Sequence, residues 1–128
     1  MNESFESARA PEAVGAFPHA KCVGNLLFLS GIGPRVRGSK NIPGVSLDSA
    51  GVVVSYDIET QCHAVFENVR LVLEDSGASW NDIVDVTVFL TDMKKDFQSY
   101  NRIYPEYFAG PGKPNPTRTT VEVGALPT

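Results

Sequence analysis

Arg118 is the residue whose type and setting could most directly do chemistry. Pro114 and Pro116 precede it, and a residue before proline is restricted to extended backbone conformations. A planar guanidinium that follows such a stiffened approach, at the start of a strand, is suited to gripping a carboxylate through two parallel hydrogen bonds. The alternative interpretation is a surface arginine that is paired with a nearby acidic side chain. The sequence alone leaves both interpretations open.

Cysteine and histidine do not add a metal site. Cys22 and Cys62 are far apart and form no Cys-x-x-Cys motif, and His19 and His63 form no ligand spacing with them. Two free thiols in a reducing compartment are the simpler interpretation. We therefore expect no metal ion.

The composition argues against several classes of protein. With 128 residues, of which 42% are hydrophobic and 20% charged, the chain has the size and composition of one folded domain over 1–128. A net charge of −4 argues against a nucleic-acid partner, because binding the phosphate backbone depends on cationic side chains that release counterions. No apolar run is long enough to cross a bilayer, and the polar, acidic start MNESFESARA is unlike a signal peptide. We expect a cytoplasmic protein with no membrane partner.

Hydrophobic periodicity predicts an α+β fold. The predicted elements, in chain order, are a strand in the run from Asn25, a brief strand over 52–54, a helix over 57–75, a strand over 83–90, a helical stripe from Phe97 to Phe108 and a strand over 119–123. Residues 1–16 predict an irregular arm, and 33–51 predict a loop. Pro105 predicts a break or a new N-terminal turn rather than one straight helix, because proline lacks an amide hydrogen. This order implies a mixed sheet with two helices on one face.

One face of that sheet is predicted to be uncovered. The strands NLLFL and IVDVTVFL carry large apolar residues on both sides, and one pair of helices can cover only one side. An exposed apolar face normally marks association. We therefore predict a homo-oligomer in which sheets pack together.

Five stretches of the chain, which together cover nearly all of it, resemble the Rid (YjgF) family of enamine/imine deaminases. They are APEAVGAF at 10–17, GNLLFLSG at 24–31, DIVDVTVFLTDM at 82–93, YNRIYPEYF at 100–108 and NPTRTTVEVGALP at 115–127. The most specific part is a proline, one residue and an arginine, followed by a strand that contains Val-Glu-Val. Within the family, the long segment 33–51 is most similar to the branch of 2-aminomuconate deaminases.

The resemblance implies a site as well as a fold. The family is trimeric, has three clefts between subunits, and uses no metal or organic cofactor. Arg118 matches the family's carboxylate-binding arginine, and Ser30 and Asn101 match polar residues of the same cleft. Phe17 stands where many members have tyrosine, and Thr120 stands where many have cysteine.

The resemblance also leaves one role open. In the family a further strand carries a glutamate that is proposed to activate water, whereas this sequence ends at Thr128. The expectation is that the chain stops before that strand. The general base is therefore not assigned.

The resemblance implies hydrolytic deamination of an enamine/imine carboxylate. The predicted reaction converts 2-aminomuconate to 4-oxalocrotonate (2-oxohex-3-enedioate) and ammonia, through an imine tautomer and addition of water. Arg118 would hold the 1-carboxylate, while Ser30, Thr120 and Asn101 would orient the water.

A dicarboxylate needs a second cation, and the candidates for it are Arg35 and Arg37 in the 33–51 loop. Two alternatives to the aminomuconate reaction remain. One is a module that binds or senses small carboxylates in the same clefts, and the other is a broad 2-imino acid deaminase. Ribonuclease activity, which has been attached to some members of the family, is disfavoured by the charge and by the lack of a basic aromatic stripe.

Overall fold

The computed structural model describes residues 2–127, which form two compact units that divide between Ala78 and Ser79. The first unit contains β1 (Asn2–Phe5), β2 (Ala20–Val23), β3 (Leu26–Leu29), β4 (Val45–Leu47), β5 (Val53–Tyr56) and α1 (Ile58–Asp75). The second contains a 3₁₀ turn (Trp80–Asp82), β6 (Asp85–Leu90), α2 (Met93–Phe108) and β7 (Thr117–Glu122). The single-domain interpretation of 1–128 stays a prediction.

In the first unit, α1 packs against an antiparallel sheet. The sheet has the order β1-β2-β3, and β4 pairs separately with β5. Val72 of α1 is fully buried with Ala10 and Ala20, and Leu27 and Leu29 of β3 pack around them. Alternate side chains of β3 therefore face the core, as the period of two in a strand requires.

The opposite side of β3 is exposed. Leu26 is 53% exposed and Phe28 is 58% exposed. This observation agrees with the predicted uncovered apolar face, although the run from Asn25 is half-buried rather than fully buried. The second unit repeats the pattern, because Phe89 of β6 is exposed while Leu90 is buried.

The ends of α1 follow from its sequence. The Asp57 side chain accepts a hydrogen bond from the Glu59 amide and caps the helix. A side-chain hydrogen bond from Thr60 is the main cause that lowers the pKa of Asp57. Just beyond the helix, Gly77 has φ +84°, a left-handed conformation that glycine adopts without steric cost. The predicted helix over 57–75 is confirmed.

Two predictions in the first unit need correction. The arm over 1–16 contains β1, which pairs antiparallel with β2. The loop over 33–51 contains β4, which pairs with β5. β1 (NESF) has no alternating apolar pattern, and β4 (VSL) alternates over only three residues, so in each case the pairing partner decides that the segment is extended.

The second unit is built on a parallel strand pair joined by α2. Val86 of β6 lies opposite Arg118 of β7, and Val88 lies opposite Thr120. Arg118 and Thr120 are less exposed than the residues on either side of them. The crossover therefore places these two side chains on the face of β7 that is less open to solvent.

The predicted break at Pro105 is wrong, because α2 continues through it to Phe108. The last turn is held by tertiary contacts. The Trp80 indole donates to the Tyr107 carbonyl at 2.6 Å, and the Phe108 ring stacks on that of Tyr104 at 4.4 Å. These contacts compensate for the backbone hydrogen bond that proline removes.

The α+β prediction with two helices is confirmed. The sheets are mixed, since β6 and β7 are parallel and the other pairs are antiparallel. Neither helix of the described chain combines the length and the hydropathy needed to cross a membrane.

Candidate functional site

Arg118 lies in β7 against the aromatic side chains of α2. Its guanidinium carbon is 4.6 Å from the ring centre of Tyr104 and 5.1 Å from that of Tyr100. The ring of Phe97 is more distant, at 6.0 Å. Contacts of this length are cation–π interactions, in which a ring attracts the cation without supplying an oxygen acceptor to its N–H groups.

The N–H groups of Arg118 have no protein acceptor among residues 2–127. No acidic side chain in this part of the chain forms an ion pair with it, and no oxygen accepts a hydrogen bond from it. The surface ion pair that the sequence left open is therefore absent from the described residues. The five donors remain available to an anion.

Thr120 and two tyrosines complete the surroundings of Arg118. The Tyr100 hydroxyl and Thr120 Oγ1 are 3.1 Å apart and share a hydrogen bond. The Tyr104 hydroxyl oxygen is buried and has no hydrogen-bond partner among residues 2–127. Burial is the main cause that raises the pKa of Tyr104, and the charge of Arg118 opposes it. Tyr104 is therefore neutral at neutral pH.

The approach to Arg118 differs from the prediction at Asn115, which has φ +50° although it precedes Pro116. Its side-chain amide compensates for this left-handed conformation. Asn115 Oδ1 accepts from the Gly110 amide, and Nδ2 donates to the carbonyls of Gly110 and Lys113. Asparagine tolerates this region better than most residues because it can form such local bonds. The stiffness before β7 therefore comes from a hydrogen-bonded turn as well as from proline.

Asn101 is the remaining predicted site residue of the second unit. It is exposed on α2, whereas Tyr100 and Tyr104 are buried. The second unit thus brings Arg118 and Thr120 together with two tyrosines, and Asn101 faces solvent on the same helix. Its proposed role in orienting water stays a prediction.

In the first unit, Phe17, Ser30 and Arg35 line one pocket of about 60 Å³. This volume is enough for a few water molecules or for one end of a small ligand. Ser30 Oγ donates to the Pro18 carbonyl at 2.7 Å. Its lone pairs can still accept a hydrogen bond from a ligand.

Arg35 and Arg37 donate hydrogen bonds to backbone carbonyls of the segment 7–12, part of which lines this pocket. Arg35 Nη2 donates to the Glu12 carbonyl at 2.9 Å. Arg37 Nη1 donates to the carbonyls of Ser7 and Ala10, at 3.0 and 2.8 Å. Arg37 lines a second, more open pocket of about 300 Å³ and not the pocket of Arg35. The two candidates for the distal carboxylate therefore line different pockets, which share Glu12, Ala13 and His19.

Sequence reasoning undervalued Tyr100 and Tyr104. Their place in the helical stripe from Phe97 to Phe108 is typical of packing residues. The informative signal was their separation by four residues, which puts both rings on one face of a helix. Only the pairing of β6 with β7 shows that this face meets Arg118.

No group of three His, Cys, Asp or Glu side chains within residues 2–127 is placed to hold a metal ion. The chemistry that the described residues offer is anion binding by Arg118, hydrogen bonding by hydroxyl groups and an apolar wall. No described residue is identified as a general base.

Comparisons with known proteins identify the family. The profile of the family described as Endoribonuclease L-PSP matches residues 7–128. A RutC family protein of Pyrococcus abyssi is 40% identical over 126 residues, which are 98% of this chain and 87% of that protein. Reactive Intermediate Deaminase A, chloroplastic, of Arabidopsis thaliana is 34% identical over 125 residues, which are 98% of this chain and 59% of that protein.

Solved structures agree with these relatives. The crystal structure of Escherichia coli TdcF with bound serine has a TM-score of 0.80 and 31% identity, and the match covers 98% of this chain and 88% of that one. The similarity of sequence and of structure extends over nearly the whole chain in each case. The chain therefore belongs to the Rid family, which is also called the YjgF or L-PSP family.

Proposed function

We propose that the protein is a deaminase that hydrolyses enamine/imine carboxylates. The names of two relatives support this reaction class, since the Arabidopsis protein and E. coli TdcF are both named as reactive intermediate deaminases. The observation that carries the proposal for this chain is Arg118. Its guanidinium is held by aromatic rings, and its N–H groups have no acceptor among residues 2–127.

The substrate supplies most of the reactivity. An enamine carboxylate tautomerises to an imine, and water adds to the C=N carbon to give a carbinolamine. Loss of ammonia from the carbinolamine leaves a 2-oxo acid, so one imine and one water give one 2-oxo acid and one ammonia. The protein must hold the carboxylate, orient the water and assist proton transfers.

The predicted site residues take distinct roles in this reaction. Arg118 binds the 1-carboxylate through two parallel hydrogen bonds. Hydroxyl groups of Ser30 and Thr120 and the amide of Asn101 orient water, and Phe17 provides an apolar wall. The proposal includes a cytoplasmic homotrimer that needs no metal or organic cofactor and has no nucleic-acid partner. The exposed apolar side chains of β3 support the association.

Ammonia release tests the proposal. An amino-acid oxidase acting on alanine generates 2-iminopropanoate in situ, and the ammonia released is followed with and without the protein. We expect the protein to accelerate release above the spontaneous rate, and the Arg118→Ala variant to have a higher KM and a lower kcat. Lys113→Ala, which removes an exposed cation from the same unit, is the matched control and should keep the wild-type rate. Equal rates for wild type and Arg118→Ala would remove Arg118 from the site.

A binding or sensing module is the second candidate function. The solved structure of TdcF holds serine, a small carboxylate, and no general base is identified among the described residues of this chain. A binding module would saturate with a carboxylate such as serine or pyruvate in calorimetry but would not accelerate ammonia release. A deaminase would do both.

We propose 2-aminomuconate as the narrower substrate. It carries a second carboxylate, and Arg35 lines the same pocket as Phe17 and Ser30. Its Nη2 contacts the Glu12 carbonyl, so other donors of the guanidinium remain for a ligand. Arg37 is a weaker candidate, because Nη1 already donates to two carbonyls.

The substrate preference can be measured directly. The ratio of kcat/KM for 2-aminomuconate to that for 2-iminopropanoate should fall about tenfold in Arg35→Ala, since a charge-assisted hydrogen bond is lost. In the Arg35→Ala/Arg37→Ala double variant, this ratio should fall at least as far. If the double variant still prefers the dicarboxylate, the distal-carboxylate role is wrong, while the broader imine deaminase proposal stands.

A further inference from the structure

We propose that Tyr104 is a positioning residue for the reaction, because its ring, together with that of Tyr100, fixes the plane in which the Arg118 guanidinium receives the substrate carboxylate. This inference rests on the proposed function, in which Arg118 binds that carboxylate. It assigns the task to the aromatic face of the ring and not to the Tyr104 hydroxyl.

The geometry of the rings supports this role. Tyr104 is the nearest of the three rings to the guanidinium, at 4.6 Å, and Tyr100 follows at 5.1 Å. Both lie well within the roughly 6 Å over which a cation is attracted to a ring face. The two rings meet at 67°, with their centres 5.9 Å apart. The guanidinium is therefore in contact with two surfaces of different orientation, which restricts its rotation more than one surface would.

The rings themselves are held in place. Tyr100 is 1% exposed, and its hydroxyl shares a hydrogen bond with Thr120, two residues beyond Arg118 on β7. The Tyr104 ring is stacked on Phe108, which in turn contacts Trp80 at 4.9 Å. A buried, interlocked column of rings has little freedom to rearrange. It can therefore impose an orientation on the longer arginine side chain.

This way of holding an arginine preserves its binding capacity. A carboxylate partner would occupy the N–H groups and neutralise the charge, whereas an aromatic ring brings neither a negative charge nor an oxygen acceptor, so the N–H donors remain for a ligand. Because Tyr104 is neutral at neutral pH, it does not neutralise the guanidinium either. The charge that attracts a carboxylate is thus uncompensated by any ion pair within residues 2–127.

The Tyr104 hydroxyl allows the ring and the oxygen to be separated by experiment. The oxygen is buried and has no partner in the described part of the chain, so Tyr104→Phe removes an unsatisfied group and keeps the aromatic face. Tyr104→Leu removes the aromatic face and keeps an apolar side chain. If the ring acts on Arg118, these two variants must differ.

Steady-state kinetics with 2-iminopropanoate test the inference. We expect Tyr104→Leu to raise KM about tenfold, which corresponds to ~1.4 kcal/mol, with kcat changed by less than threefold. Tyr104→Phe should keep KM within about twofold of wild type. An unchanged KM in Tyr104→Leu overturns the inference, and so does an equal loss in Tyr104→Phe. Tyr104→Met, with similar length and no ring, replaces Tyr104→Leu if that variant does not fold.

A double-variant cycle separates positioning from a general structural effect. If Tyr104 acts through Arg118, Tyr104→Leu should have no further effect on KM in an Arg118→Ala background. An additive increase in that background would assign the effect of Tyr104 to general packing and overturn the inference. If the wild type does not accelerate ammonia release, the proposed function fails; if it does but Arg118→Ala leaves KM unchanged, Arg118 is not in the site and the positioning role of Tyr104 fails with it. If Arg118→Ala raises KM but Tyr104→Leu does not, only the positioning role fails.

Discussion

Arg9 and Arg37 of the first unit have surroundings opposite to those of Arg118 in the second unit. Arg9 donates to the carboxylates of Asp75 and Glu74, and Arg37 donates to two backbone carbonyls. Arg118 contacts aromatic faces, and its N–H groups have no acceptor in the described chain. An arginine whose donors are occupied stabilises the fold. An arginine that contacts only aromatic rings keeps its N–H donors and remains able to bind a ligand.

The short segment from Ser7 to Ala10, near the N-terminus, is held by side-chain hydrogen bonds. The Ser7 hydroxyl donates to Asp75 at 2.6 Å and accepts from the amides of Arg9 and Ala10. Arg37 binds the carbonyls of the same short stretch. Because this segment lacks regular structure after β1, side-chain hydrogen bonds satisfy the backbone groups that no ladder pairs. Arg37 satisfies backbone groups in this way, because it donates to the carbonyls of Ser7 and Ala10.

The largest effect that the comparison predicts is on Arg118. Arg118→Ala should lower kcat/KM about 100-fold, or ~2.7 kcal/mol, because a bidentate, charge-assisted contact to the carboxylate is lost. The free energy of unfolding of this variant should be lower than that of wild type by no more than about 1 kcal/mol, because only cation–π contacts are lost. Kinetics and urea unfolding measure the two values. A large loss of stability with unchanged kinetics would mean that Arg118 stabilises the fold, as Arg9 and Arg37 do, and does not bind the substrate.

Arg37→Ala should show the reverse pattern. Losing two hydrogen bonds to backbone carbonyls should lower the free energy of unfolding by about 1–2 kcal/mol, while kcat for 2-iminopropanoate stays within about twofold. Urea unfolding measures the change, and Lys40→Ala, an exposed cation of the same loop, is the control. A loss of activity with unchanged stability would instead place Arg37 in the site.

Asp75 sharpens the comparison through its pH dependence. The hydrogen bonds from Arg9 and then from Ser7 hold the pKa of Asp75 below its ordinary value of 3.8. Because the folded-state pKa is the lower one, this stabilisation is present above the unfolded pKa and is lost as pH falls through the folded pKa. Asp75→Asn should cost about 1 kcal/mol at pH 7.

The difference between wild type and Asp75→Asn should narrow below about pH 4, where the unfolded-state carboxyl is protonated. Thermal unfolding from pH 3 to 7 measures it. A difference that is constant across this range would show that the charge of Asp75 contributes nothing. Arg9 would then resemble an ordinary solvated surface residue.

The smallest expected effect is on Tyr104. Tyr104→Phe should raise the free energy of unfolding by about 0.5–1 kcal/mol, since it removes a buried hydroxyl that has no partner. Tyr100→Phe is the matched control and should lower stability, because the Tyr100 hydroxyl is bonded to Thr120. Urea unfolding distinguishes them. A loss of stability in Tyr104→Phe would mean that the hydroxyl has a partner in solution.

Strongly periodic elements were predictable, and elements held by distant contacts were not. The stripe from Asp57 to Asp75 and its cap depend on residues within one turn of each other, so the sequence shows them directly. By contrast, β1 is extended because it pairs with β2. The last turn of α2 persists past Pro105 because Trp80 and Phe108 hold it. Phe108 is only three residues from Pro105 in the sequence, but Trp80, which contacts it, is 25 residues away. No local rule weighs such contacts against a proline.

The sequence by itself determined the α+β class, the main helices and strands and the place of Arg118 in β7, because periodicity, capping and β-branched runs act between near neighbours. Only the tertiary structure decided what each arginine meets. The sequence could not distinguish Arg37, whose donors reach the carbonyls of Ser7 and Ala10, from Arg118, whose guanidinium lies over the Tyr104 ring. Which acceptor or ring approaches a guanidinium depends on how separate segments pack, and that packing is a property of the folded chain.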